Sequence, residues 1–282
     1  MLSEDSKAKV WLLWPFAVFF LITALLVGGF FYFIPSDSVE PGVSESGPVQ
    51  TAAQIEELTN FQFFRRAFVT ANGGEEKLRA LSSVQTTGTF ESGGQSVPFR
   101  TIKRRPDKSI TTLKMEDYNL SFVVNAGVVW QRVDQPRLEP QDTLKTGGEA
   151  DAIREMGHFF GPLMHVVLNE PESILGIEET TWEGEPALSI AFKSESRGME
   201  ATAIINPQSM TPVQRLERFA DGTTRKVLYA DYRQIGGTLL EPFVVETFID
   251  DALQNRVTVE KCEINVGAAS FLFEYTGEAD DS

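Results

Sequence analysis

Histidine and cysteine are almost missing from this chain of 282 residues, which has two of the first and one of the second. One cysteine excludes an intrachain disulfide, and no CxxC pair exists to build a thiolate zinc site. Cys262 reads as a half-buried strand thiol. The histidines, His158 and His165, form no HExxH pair. Glu155-x-x-His158 has the spacing of half a carboxylate di-iron motif, but the other half and the additional glutamates are missing. No metal and no cofactor are expected. Also lacking are a Walker A loop, a GxGxxG after a strand and a GxSxG elbow, so no catalytic set is marked and no enzyme is expected. Positive charge is scarce too. Lys and Arg total 25 against 40 Asp and Glu, a net charge of −15. A nucleic-acid partner needs clustered cations to neutralise phosphate, so that class is excluded.

What is present begins with "VWLLWPFAVFFLITALLVGGFFYFI", Val10–Ile34, which contains no charged residue. A bilayer core needs about 20 apolar residues in a helix. Trp11 and Trp14 mark one end and Tyr32 the other, as an aromatic belt would. Lys7 and Lys9 precede the run and Asp37 and Glu40 follow it, which orients the N-terminus to the cytoplasm. "FIPSDSVEPG" offers no A-x-A cleavage site and no lipobox cysteine, so an uncleaved anchor is expected rather than a signal peptide. "PSDSVEPGVSESGPVQ" is rich in Pro, Ser, Gly and acid and reads as a flexible tether. The expected organisation is a cytoplasmic tail (1–9), a transmembrane helix (10–34), a linker (35–50) and a periplasmic domain (51–282).

The soluble part opens with a helical stripe, Ile55, Leu58, Phe61, Phe64 and Phe68, predicting one helix over Thr51–Thr70. Asn72-Gly73-Gly74 stops it, and a short helix is expected over Glu75–Leu81. Strands follow, five before Asp134 and seven after Pro171, separated by turns such as "ESGGQS", "RRPDKS", "NAG", "WEGEP" and "QIGG". Short strands joined by hairpins predict a large antiparallel sheet, and one with so many strands must curl. The hairpin from Arg225 to Asp250 is unusual in being apolar on both faces. Phe243, Val245 and Ile249 alternate with Leu240, Val244 and Phe248, where a sheet with one wet face would alternate apolar with polar.

Two further segments bear on function. A strand-free stretch over Gln135–Pro171 contains "DAIREMGHFFGPLMHVVLNEP", which Gly161-Pro162 must split into two short helices. Its Phe and Met residues suit either a core helix or an adaptable lid over an apolar ligand. In the lid reading Phe159, Phe160, Leu163 and Met164 cover the mouth of the curled sheet, and Tyr229, Phe243 and Val245 line its wall. "KRRPDK" brings together Lys103, Arg104, Arg105 and Lys108. It is either a solvated hairpin turn or a docking patch for anionic headgroups or an acidic partner.

In order along the chain stand "GGEEKLRALSSVQTTGTF", "KRRPDK", "NAGVVWQ", "FFGPL", "GIEETTWEGEPALSIAF", "DYRQIGGTLLEPF" and "CEINVGAASFLF". This series, from Thr70 to Phe273, resembles the LolA-like outer-membrane lipoprotein-sorting proteins of the LolA/LolB-like superfamily. The resemblance implies a mainly β (α+β) fold: an incomplete antiparallel β-barrel around a hydrophobic cavity, with helices as a lid. Here that means a curled sheet of about 11–12 strands, preceded by one transmembrane helix. In the best-known members the cavity holds the acyl chains of a lipoprotein crossing the periplasm. Relatives bind glycolipids or act as envelope-stress sensors. The chain departs from the soluble carriers in its anchor. The expected function is therefore an inner-membrane-anchored binder of a lipid or lipoprotein acyl chain, working with envelope transport machinery. The alternative is a non-catalytic sensor or assembly subunit with the same fold.

Overall fold

The computed structural model describes residues 52–193 and 200–277, without the side chains of 52 and 53. The expected tail (1–9), transmembrane helix (10–34) and linker (35–50) lie outside the described residues. Among the described residues no helix is long and apolar enough to cross a membrane.

Three helices open the domain: α1 (Ala52–Glu57), α2 (Phe61–Ala71) and α3 (Glu75–Ala80). The stripe read as a single helix is thus two. The Thr59 hydroxyl donates to the Glu56 carbonyl at 2.8 Å and closes α1. The Asn60 side chain then accepts from the Gln62 amide at 3.0 Å and caps α2. Beyond α2 the chain turns at Gly73, whose φ is 113°. A Cβ there would lie 1.7 Å from the Thr238 carbonyl oxygen, so glycine is required where α2 meets the sheet.

Among the described residues thirteen strands form one antiparallel sheet. They are β1 (Ser83–Ser92), β2 (Gln95–Arg104), β3 (Lys108–Lys114), β4 (Asn119–Asn125), β5 (Val128–Asp134), β6 (Gln141–Leu144), β7 (Ile174–Trp182), β8 (Glu185–Lys193), β9 (Glu200–Asn206), β10 (Thr211–Arg218), β11 (Thr224–Ile235), β12 (Leu239–Ile249) and β13 (Ala252–Ile264). The order across the sheet is β6-β5-β4-β3-β2-β1-β13-β12-β11-β10-β9-β8-β7. Two meanders therefore meet where β1 pairs with β13. The free edges are β6 and β7, and the segment joining them carries α4 (Gly147–Gly157) and α5 (Pro162–Asn169).

One detail corrects the sequence reading. Gln135–Pro171 is not strand-free, because polar β6 pairs with β5 from Trp130↔Leu144 to Val133↔Gln141. Ahead of β13, Asp250 and Asp251, with φ of 45° and 63°, turn the chain in two residues. The split at Gly161-Pro162 falls where expected, with Pro162 opening α5 at a position that needs no amide hydrogen.

The main core lies between the helices and one face of the sheet. Phe64, Phe68 and Leu78 of α2 and α3 pack with Leu163 and Val167 of α5, and with Leu188, Ile190, Ala203 and Ile205 of β8 and β9. A second cluster occupies the other face of β2–β5. There Ile102, Ile110, Val123 and Trp130 are covered by Phe273 from a C-terminal 3₁₀ turn, Ser270–Phe273. Trp130 is 1 % exposed and meets Tyr275 edge-on at 5.7 Å.

The insert reports the curl. Helix α4 lies on β3, β4 and β5, with Gly157 so close that a Cβ would be 2.5 Å from Ser109 Oγ. The same helix offers Glu155 to Arg215 of β10, 2.6 Å away. Eleven residues of helix span only ~16 Å, yet they touch strands from opposite wings of the sheet. The sheet curls without closing and is an incomplete barrel.

Candidate ligand-binding site

Strand register identifies the residues on the helix-bearing, concave face. Val84 and Ile190 belong to the main core, and side chains two residues apart on a strand share a face. Following the pairings from those anchors gives a cross-strand row at one end of the sheet: Tyr229–Val245–Val257–Phe90–Val97, on β11, β12, β13, β1 and β2. Every member is half-buried. On β2 the contrast between faces is plain: Val97 and Phe99 on the concave side are half-buried, while Pro98 and Arg100 between them are exposed. Gly88, at a register shift between β1 and β13, leaves room for the Phe99 ring, which would lie 3.0 Å from a Cβ there. This end of the concave face is an apolar surface that the helices do not fully cover.

Farther along, the floor becomes polar. Thr86, Thr101 and Thr111 line up on β1, β2 and β3, with Cys262 paired to Thr86 on β13. Thr101 and Thr111 share a hydrogen bond of 3.0 Å. The next row holds Lys103, beside Val84 and Ser109. Its ammonium donates to the His158 carbonyl between α4 and α5 at 2.6 Å. Burial holds the Lys103 ammonium below its ordinary pKa, against the opposing pull of Glu241 and Cys262. Burial likewise raises the Glu241 carboxyl, with Lys103 acting in the other direction. The Cys262 thiol is pushed up to about 11, first by burial and then by the Glu241 charge. Tyr232 is raised well above a free phenol by burial, Tyr229 and Glu241, and its hydroxyl donates to the Pro212 carbonyl at 2.8 Å.

A second polar group fixes the insert. Glu155 on α4 accepts from Arg215, and Arg215 Nε stands 3.2 Å from Glu217. Glu217 accepts from Arg225 Nε at 2.6 Å, and Arg225 reaches back to Glu155 at 3.8 Å. Two carboxylates and two guanidiniums thus alternate around a ring with Glu217 only 1 % exposed. Burial alone would lower Arg215, but Tyr229, Glu217 and Glu155 together hold it above its ordinary value. Burial raises the Tyr229 phenol. Glu155 therefore anchors the insert across the barrel. No cluster of three or more His, Cys, Asp or Glu side chains suited to a metal occurs among the described residues.

Of the residues proposed as a lid, Phe160, Leu163 and Met164 are buried in the main core, and Phe159 packs at its edge. Of the proposed wall, Tyr229 and Val245 stand side by side in the apolar row. Phe243 is buried, with the Arg233 guanidinium 4.2 Å from its ring centroid. The basic group is engaged within the chain. Lys103 holds the insert, and Arg104 donates to the Ala268 carbonyl at 2.9 Å. Arg105 donates to Leu81 at 2.9 Å and lies 4.6 Å from the Phe159 ring centroid, while Lys108 stands 6.0 Å from that of Phe273. Sequence reasoning missed Arg215, Glu217, Arg225 and Glu241. Their charge on apolar strands was the available signal, and nothing local links Arg215 to a glutamate sixty residues away.

Comparison with known proteins adds the fold. A DUF1329-family protein from Desulfovibrio piger matches 77% of this chain and 98% of its own at 9% identity, with a TM-score of 0.52. The LolA-superfamily protein NE2245 from Nitrosomonas europaea matches 75% of this chain and 96% of its own at 8% identity, with a TM-score of 0.50. No family model and no curated protein matches the sequence. The half-open antiparallel barrel with helices on its concave side is a LolA-like fold.

Proposed function

We propose that this protein is anchored in the inner membrane by Val10–Ile34 and holds the acyl chain of a lipid or lipoprotein in its periplasmic domain. The observation that carries the reading is the half-buried apolar row Tyr229–Val245–Val257–Phe90–Val97 on the concave face. An acyl chain of sixteen carbons loses about 12 kcal/mol on entering water, at about 0.8 kcal/mol per CH₂. A carrier has to supply an apolar surface of comparable quality and needs no covalent chemistry. The superfamily name of the Nitrosomonas neighbour agrees with such a role. Native mass spectrometry of the full chain purified from membranes should find co-purified lipid, and a fluorescent fatty-acyl probe should bind saturably. A chain that carries no lipid and binds no acyl probe would instead be a sensor or assembly subunit. The anchor has its own test: the mature protein should keep Met1, and a mature N-terminus beyond Ile34 would contradict it.

A further inference from the structure

The two polar groups on the concave side differ in one respect. In the ring of Glu155, Arg215, Glu217 and Arg225, each charge has an opposite charge in contact. Glu241 does not. It lies on β12, four residues from Val245 and so on the same face by alternation. It senses Lys103, Cys262 and Tyr232. Yet among the described residues it accepts no hydrogen bond and makes no ion pair within contact distance. Its acceptor sites are therefore not taken up within the described part of the chain. Lys103 uses one of its three N–H groups on the His158 carbonyl. The threonine row and then this separated pair of opposite charges thus follow the apolar surface along the same floor.

We infer that the Glu241–Lys103 pair is a polar subsite for a zwitterionic ammonium-phosphate headgroup of the phosphoethanolamine type, its ammonium on Glu241 and its phosphate on Lys103. This rests on the acyl-chain reading above and names the ligand class for it. The order of chemistry along the floor matches such a molecule. The hydrocarbon lies on the row from Tyr229 to Val97, ester and glycerol oxygens reach Thr86, Thr101 and Thr111, and the headgroup meets the charged pair. Three two-residue steps separate the first row from Lys103, roughly 20 Å at about 3.4 Å per residue. Glu241 supplies the selectivity. An anionic headgroup without an ammonium gains from Lys103 but sets its charge beside the carboxylate. The Glu241 carboxyl, raised by burial, ionises more readily once a ligand ammonium is beside it.

The test compares two fluorescent lysolipids with the same acyl chain, lysophosphatidylethanolamine and lysophosphatidylglycerol, binding to the full chain held in amphipol. The wild type should prefer the ethanolamine lipid by roughly ten-fold, as expected for one hydrogen bond between charged groups. Glu241→Gln should bring the ratio close to one, chiefly by weakening the ethanolamine lipid, while Glu241→Asp should keep part of the preference. Thermal unfolding of both variants shows whether the fold is intact. Equal wild-type affinities would overturn the subsite and leave the acyl-chain reading standing, as would a preference that Glu241→Gln does not change. If neither lysolipid binds, the acyl-chain reading fails and takes the subsite with it.

Discussion

Strands β4 and β12 look alike as sequences and differ as structures. "NLSFVVN" and "LLEPFVVETFI" are both rich in apolar residues at successive positions, so both present apolar side chains to both faces. In β4 five successive residues, Leu120–Val124, are buried. Helix α4 covers one side and the C-terminal turn covers the other. In β12 only Leu239, Phe243 and Ile249 are buried, and the other residues are half-exposed. Apolarity on both faces therefore has two meanings within one sheet. In β4 it is core. On the concave side of β12 Leu239, Phe243 and Ile249 are buried, but Val245 between them is only half-buried, which is why the ligand is assigned to the stretch around Val245.

The comparison can be broken by mutation. Trp130→Ala, beside β4, should cost about 3–5 kcal/mol, because a large buried ring leaves a cavity. Chemical denaturation measures this, and a cost below 1 kcal/mol would show that the wing is not packed as described. Glu155→Ala should cost about 1.5–3 kcal/mol by leaving buried arginines without a charged partner. Hydrogen exchange should then rise across 147–169 more than across β4, since Glu155 ties the insert to the far wing. A uniform rise would point to plain destabilisation.

Asp142 gives a pH-dependent signature. It pairs with Arg132 at 2.7 Å and accepts from the Thr276 amide at 2.8 Å, holding the C-terminal segment over β5 and β6. Burial works to raise its pKa, but Arg132 and Thr276 win and the carboxyl lies below its ordinary 3.8. A depressed carboxyl contributes stability that is present above 3.8 and lost as pH falls through the folded value. Asp142→Asn should therefore cost about 1–2 kcal/mol near neutrality. The difference from wild type should shrink below pH 4, and a difference independent of pH would contradict the pairing. The smallest stability effect belongs to β12. Val245→Ala should cost under about 1 kcal/mol, since the side chain is only half-buried. A loss as large as that of Trp130→Ala would make β12 a core strand and remove the contrast.

Much of this fold was legible because its signals are local. Gly93-Gly94, Ala126-Gly127 and Glu183-Gly184 all adopt positive φ in two-residue hairpin turns, and each stands out in the sequence. Pro162 marks the start of α5 for an equally local reason. β6 was hidden because "QDTL" has neither alternation nor an apolar run, and it exists through pairing with β5. The site was less legible. Phe and Met spacing in the insert predicted burial but could not separate a lid from a core helix, and Leu163 and Val167 prove to be core. Charging Leu163 should unfold the domain, so Val245 is the position that probes ligand contact. The arginine ring and Glu241 depend on contacts across the curled sheet, which neighbouring residues do not encode.

The central claim, that the concave face of β11–β13, β1 and β2 receives an acyl chain, is tested most directly by photocrosslinking. A palmitoyl chain carrying a terminal diazirine is bound to the full chain, irradiated, and the labelled positions are mapped by peptide mass spectrometry. The account predicts labels on the peptides containing Phe90, Val97, Tyr229, Val245 and Val257, reduced by competing unlabelled lipid. Labelling confined to Val10–Ile34, or absent from all five positions, would contradict it.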